Sequence, residues 1–197
     1  MSQVTDPVPE SASRAKLLDA AVAAFSRHGF HGTTTRDIAA AAGLSPAAVY
    51  VHHRSKEDLL HLISSRGHER TLRLVRDTLA AADGPVDRLA AFARTFAAHH
   101  ARNHTTARVV NYELAALSEP HRAEVAAVRR AIEAEVRTLV EDGVRAGVFD
   151  VPDPRMTTLA LLSLGIDVSR WYDDGGSLTP EQVGEHYAAL ALRMVGA

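Results

Sequence analysis

The stretch Thr33 to Leu60, TTTRDIAAAAGLSPAAVYVHHRSKEDLL, constrains the rest of the chain. It reads as two short helices, a tight turn between them, and the start of a third. Gly43 ends the first helix, where glycine takes a left-handed backbone without a Cβ penalty. Ala39, four residues earlier, is small enough to let two helices approach closely. Ile38, Ala42, Leu44 and Val49 supply the apolar contacts between them. Ser45 is a good N-cap for the second helix, and Pro46 suits its first turn. Thr34 with Asp37, and Ser55 with Asp58, have the spacing of a capping box. Helix, short turn, helix is the geometry that lays a second helix in the major groove of DNA.

Composition limits what surrounds this element. The chain has 197 residues, 46% of them hydrophobic, enough for a sizeable core. It has no cysteine, which excludes a disulfide framework, a thiol nucleophile and cysteine-based zinc sites. The formal charge is −2, so any footprint for nucleic acid must be local. No window reaches the roughly 18 apolar residues of a membrane span. The start, MSQVTDPVPE, has neither a positive opening nor an apolar run, so it does not read as a signal peptide. These features lead us to expect a soluble cytoplasmic protein with a disordered tail over residues 1–12.

Almost every segment has a helical period and none a sustained strand alternation. The expected fold is all-α, with about nine helices. The first runs from about Ser13 to His28. A long one continues from Lys56 to about Ala81, where Asp83-Gly84-Pro85 breaks it. The next spans about Val86 to His100. Asn103 is placed to cap a following helix holding Val109, Tyr112 and Leu117. Glu119-Pro120 opens another long helix that ends near Gly147. Asp153-Pro154 starts an apolar helix, and Thr179-Pro180-Glu181-Gln182 is a capping box for the last. The expected division is a three-helix head over residues 13–58 and a helical body over residues 59–197.

From Arg14 to Leu60 the chain resembles the DNA-binding head of the TetR (tetracycline-repressor-like) family. The resemblance rests on Gly29-Phe30, Thr33-Thr34-Thr35, Asp37-Ile38-Ala39, Ala42-Gly43-Leu44-Ser45, Val49-Tyr50, His52, and Ser55-Lys56-Glu57 with Leu59. It covers about the first third of the chain. One position departs from the pattern: His53 stands where the family has an aromatic, most often phenylalanine, that packs into the head. The resemblance implies that the helix from Pro46 to about His52 reads the major groove. Pro46, Ala47, Ala48 and Val51 offer short apolar groups to thymine methyls. Arg36 is the nearby residue able to make a bidentate guanine contact. Tyr50, His52 and Lys56 match the family's phosphate-contact positions. Thr34 and Ser45 complete the candidate DNA surface, Thr34 through backbone N–H groups at a helix start.

The resemblance also implies a ligand-responsive repressor that binds an operator in double-stranded DNA. Its middle helices would enclose a small-molecule effector, and its last two would pair with a second subunit as a homodimer. Phe92, Phe96, His100, Tyr112, Glu113 and Trp171 are the candidate pocket residues, with Ala97 beside them. Trp171-Tyr172, Gly175-Gly176 and Leu178-Thr179-Pro180 resemble a TetR subgroup whose members include sensors of acyl-CoA thioesters in lipid or sterol metabolism, which implies that ligand class. No catalytic residue, cofactor or metal site is expected. His100 and His104 are four apart, but Asn103 interrupts the helix between them and no third ligand is evident. An enzyme is disfavoured, since the chain has no G-x-S-x-G elbow and no H-E-x-x-H. A regulator acting through protein partners, independent of a ligand, is the alternative.

Overall fold

The computed structural model describes residues 10–45 and 55–197. Among these the structure is helical throughout, with eight α-helices and one 3₁₀ turn. They are α1 (Glu10–His28), α2 (Thr35–Ala41), α3 (Lys56–Ala80), α4 (Gly84–Arg102), α5 (His104–Tyr112), α6 (Glu119–Arg145), α7 (Pro154–Trp171) and α8 (Pro180–Met194). The 3₁₀ turn, Leu114–Ala116, lies between α5 and α6. Residues 46–54, with the expected recognition helix, lie outside the described residues, as does most of the expected tail.

The helix starts follow from local chemistry. Thr34 accepts the Asp37 amide while the Asp37 carboxylate accepts the Thr34 amide, a complete capping box. Thr179 and Gln182 repeat it at α8. Ser55 caps α3 by accepting the Asp58 amide. Asp153 accepts the amides of Arg155 and Met156 at α7, with Pro154 in the first turn. Such a cap contributes about 0.5–2 kcal/mol. Gly43 has φ of 68°, the left-handed exit that the turn after α2 requires.

Two expectations change. Asn103 does not cap α5 with its side chain. Its amide turns back and donates to the His99 carbonyl at 2.9 Å, closing α4 instead. Leu117 is not on α5; it follows the 3₁₀ turn, which brings it into the core at 4% exposure.

The hydrophobic interior does not divide at residue 58. One core runs from Leu17, Phe25, Phe30 and Ile38 of the head through Leu59 and Ile63 to Val109 and Val110 of α5, then Leu117 and Val125. Burying side chains of this size contributes about 1.5–3 kcal/mol each. The head therefore rests on α5 and the start of α6. A second core holds Val75, Leu89, Phe92, Phe96, Ile132, Val136 and Leu161. A third, smaller one joins Ala97, Ala101, Val168, Tyr172 and Val183. The most extensive helix pairing is α4 against α8. No helix of the described residues is long and apolar enough to cross a membrane.

Candidate functional site

The head and an internal cavity are the two places where chemistry gathers. In the head, Arg36 and Ser45 are exposed, with Arg36 at the start of α2. Pro46, Ala47, Ala48, Tyr50, Val51 and His52 lie outside the described residues, as does His53. Thr34 is exposed, but its amide is engaged by Asp37 at 2.9 Å and its hydroxyl donates to the same carboxylate at 2.7 Å. These two bonds hold the Asp37 carboxyl below its ordinary pKa. The Thr34 amide is thus committed to the cap and is not presented to a phosphate, contrary to the sequence expectation.

Lys56 is also engaged within the fold. Its ammonium donates to the Phe30 and Thr33 carbonyls, each at 2.8 Å, and sits 4.2 Å from the Phe30 ring centroid. It closes the loop between α1 and α2 onto α3. Lys56→Ala is expected to lower stability by about 2–4 kcal/mol, since hydrogen bonds from a charged donor contribute about 1.5–3 kcal/mol each. Urea unfolding of the two proteins measures this. A loss below about 0.5 kcal/mol, with the slope of log affinity against log salt falling by about 0.9, would mark Lys56 as a phosphate contact alone.

The cavity lies between α3, α4, α5, α6 and α7, with a volume of about 300 Å³. That is at the small end for a ligand site. Its apolar wall includes Phe96, Val110, Ile132, Leu159, Leu162 and Ile166. Its polar groups are His68 and Thr71 on α3, His100 on α4, Asn111 on α5, and Arg129, Arg130 and Glu133 on α6, with Ser163 on α7.

Three of these groups are wired together. The His68 Nδ1 faces its own helix at the Ser64 carbonyl, 2.8 Å away. A carbonyl only accepts, so Nδ1 carries the proton and Nε2 offers a lone pair. Arg129 donates to that Nε2 at 3.2 Å and to the Asn111 side-chain oxygen at 3.3 Å. Burial, and secondarily the Arg129 charge, push His68 down to about 4, against the opposing Ser64 bond. His100 repeats the pattern: Nδ1 lies 2.8 Å from the Phe96 carbonyl and burial pushes the ring down to about 4. Both imidazoles are neutral near pH 7. Arg129, more than half buried, has no carboxylate within ion-pair distance among the described residues, and burial lowers its pKa. A guanidinium held by two neutral acceptors at a cavity wall is a ready partner for an anion.

The structure brings only part of the expected pocket together. Phe96 and His100 line the cavity. Phe92 is in the core beside Phe96, their ring centroids 5.1 Å apart, and is not a wall residue. Tyr112 is 43% exposed and bonds Asp167 across to α7. Glu113 points to the head, where its carboxylate accepts the Phe30 amide at 3.3 Å. Trp171 is 47% exposed at the end of α7. Ala97 is buried against Val168 and Val183, on the side of α4 away from the cavity. His100 and His104 do not converge: His104 Nδ1 meets the Ala101 carbonyl and lies 3.9 Å from Asp174. Sequence reasoning missed His68, Asn111 and Arg129.

The chain belongs to the TetR family of bacterial regulatory proteins. The family's model, "Bacterial regulatory proteins, tetR family", matches residues 17–63, and the model "Tetracyclin repressor-like, C-terminal domain" matches residues 82–195. The chain is 29% identical over 184 residues to the HTH-type transcriptional repressor KstR2 of Mycobacterium tuberculosis, covering 91% of this chain and 90% of that protein. It is 39% identical to a solved TetR-family regulatory protein from Rhodococcus RHA1, with a TM-score of 0.88 over 93% of this chain and 96% of the other. It shares the fold of AibR, solved in complex with isovaleryl coenzyme A and operator DNA, at 24% identity and a TM-score of 0.82 over 91% and 97% of the two chains. The chain is accordingly a DNA-binding transcriptional regulator of the repressor type, with an all-helical body behind its helix-turn-helix head.

Proposed function

We propose that this chain acts as a homodimeric repressor released from a palindromic operator by a mainly apolar effector with an anionic part, an acyl-CoA thioester being the favoured class. The observation that carries the reading is Arg129, held at the wall of a cavity with one apolar side by His68 and Asn111, with no carboxylate in ion-pair contact among the described residues although Glu133 shares the wall. A half-buried guanidinium with only neutral partners keeps part of its desolvation cost uncompensated, and an anion in the cavity would offset it.

The surroundings suit a bipartite ligand. A cavity of about 300 Å³ accommodates a short acyl chain or compact ring system, not a whole nucleotide. A small recess shares Thr71, His100, Val110 and Asn111 with it, and shares Gly67, Arg70 and Thr106 with a wide groove between α1, α3 and α5. That groove, of about 880 Å³, carries Arg14, Arg66 and Arg70 against one carboxylate, Asp19, and none of the three is in an ion pair among the described residues. Phosphates would be neutralised there. KstR2 is named a repressor, and AibR takes isovaleryl coenzyme A; these relatives support thioesters as the first compounds to test.

Dimerisation is supported by the outward stripe of α7. Met156 is 57% exposed and Leu164 38%, with Ala160 and Trp171 on the same side and Leu178 beyond it. Uncovered apolar groups in line along a helix fit a closed two-fold interface. Two heads about 34–36 Å apart would then meet successive major grooves. The ligand-independent alternative loses ground because the cavity is not filled by its own side chains.

Coupling follows from the shared core. An effector that shifts α5 and α6 moves Val109, Val110 and Val125, which pack on the head. Calorimetry with thioesters of different acyl groups, with and without operator DNA, tests the reading. Arg129→Gln is expected to weaken the effector by about 10–150-fold, the equivalent of about 1.5–3 kcal/mol for charge-assisted bonds, while leaving operator affinity unchanged. Operator must weaken the effector by the same factor that the effector weakens operator. A variant that binds every thioester as the wild type does would remove Arg129 from the site.

A further inference from the structure

We propose that the joint between head and body is a binding site for a divalent transition-metal ion, ligated by Glu57, Asp58 and His121 with the His61–Glu124 pair beside it. One donor atom from each of Glu57, Asp58 and His121 lies within 4.8 Å of the other two, and no other such group of three occurs among the described residues. Donors on one tetrahedral zinc ion at about 2.0–2.2 Å are about 3.3–3.6 Å apart. The cluster thus needs a contraction of at most about 1.5 Å, within the reach of side-chain rotation, to close on an ion.

The donors are already oriented. His121 Nδ1 lies 2.9 Å from both Glu57 carboxylate oxygens, a wedge in which a cation replaces a shared proton. The Ser118 amide donates to Glu57 at 2.8 Å. The Ser55 hydroxyl donates to Asp58 Oδ2 at 3.1 Å and holds that carboxylate in place. Partners of this kind fix a ligand's direction in metal sites. The His61 ring stacks on His121 with centroids 3.7 Å apart and planes 3° from parallel. His61 Nε2 is 2.9 Å from Glu124 Oε2 but lacks an aligned hydrogen bond. His61 and Glu124 thus flank the three donors without joining them.

The charge balance favours a cation. Two carboxylates meet here, with Glu124 beyond His61, while the adjacent ammonium of Lys56 is turned away to the Phe30 and Thr33 carbonyls. Imidazole with carboxylate, and no thiolate, suits zinc and its first-row neighbours. The ion ties the first turn of α3, which follows the head, to the first turn of α6, which carries Arg129 further along. Metal would therefore stiffen the joint through which the cavity reaches the head.

The test is a zinc chloride titration of chelator-treated full-length protein by calorimetry. We expect one ion per chain at micromolar affinity or tighter, and a rise in the thermal midpoint. Cobalt(II) in its place should give the visible bands of a site with few ligands. His121→Ala and Asp58→Asn are expected to weaken zinc at least 10-fold and to abolish the cobalt bands, whereas His186→Ala on the exposed face of α8 leaves both unchanged. The circular dichroism and metal-free midpoint of each variant report folding; His121→Gln replaces His121→Ala if the latter does not fold. Equal zinc binding by wild type and the ligand variants, or none by either, overturns the proposal.

Discussion

Replacing Gly184 with valine is expected to leave no stably folded protein. Gly184 is in α8 at its closest approach to α4. A Cβ there would be 2.6 Å from the Arg94 carbonyl oxygen and 3.2 Å from the Ala98 Cβ. The first obstacle is backbone, so it cannot rotate aside. The two helices would have to separate along the most extensive pairing in the fold. Val183, Ala188 and Ala191 would lose their burial together with the α4 residues they meet. Overpacking typically costs about 1–3 kcal/mol where side chains can adjust. Here a helix must move, so the loss should exceed about 4 kcal/mol, a large fraction of the stability of an ordinary domain. Thermal unfolding of the purified variant, or its failure to accumulate in soluble form, measures this. Gly184→Ala should be milder but of the same sign. A valine variant melting within a few degrees of wild type would mean that α4 and α8 separate easily.

The local signals were legible because their chemistry is local. Thr34 with Asp37, Ser55 with Asp58 and Thr179 with Gln182 mark helix starts by spacing alone, and each makes the bond that the spacing implies. The head was legible for the same reason, as many fixed spacings agree between Gly29 and Leu59. The wall of the cavity was harder, because it depends on how each helix is rotated about its axis. Tyr112, Glu113 and Trp171 are aromatic or polar residues on helices expected to face inward. The fold turns Tyr112 and Trp171 outward and aims Glu113 at Phe30.

A usable signal for the missed residues did exist. On α6 the buried stripe runs Val125, Ile132, Val136 and Leu139, and Arg129 fills the place between the first two where an apolar residue belongs. On α3 the stripe runs Leu60, Ser64, His68, Thr71 and Val75, so polar side chains interrupt the inner face for three positions. A polar group at an inward position of an amphipathic helix is the informative exception. Gly184 could not be read this way. In a helical sequence it signals only a weak helix former, and its role depends on a helix far away in the chain.

The second large effect expected is a loss of stability on mild acidification. His68 and His100 are held neutral in the fold, each with its pKa pushed down to about 4, chiefly by burial. In the unfolded chain an ordinary histidine titrates near 6.5. Above that value neither state binds the proton, and the two residues contribute no pH dependence. As pH falls from 6.5 toward 4, the unfolded chain takes up protons that the folded one refuses. Stability must therefore drop, by about 1.4 kcal/mol per pH unit for each refused proton and up to about 2.7 kcal/mol for both. His99, also lowered by burial, acts in the same direction. Ordinary carboxylates titrate mostly below this interval, so the span from about pH 6.5 to 5 belongs to the histidines. Urea midpoints at pH 7.5, 6 and 5 should fall steeply for the wild type and less steeply for His68→Gln with His100→Gln. Protonating His68 would also remove the lone pair that Arg129 donates to and set two cations face to face at 3.2 Å. Effector binding, if Arg129 holds the anion, should then change over the same pH interval as stability. A wild-type protein equally stable at pH 7.5 and pH 5 would show that these two rings are not buried as neutral groups, and the cavity assigned to the effector would have to be redrawn.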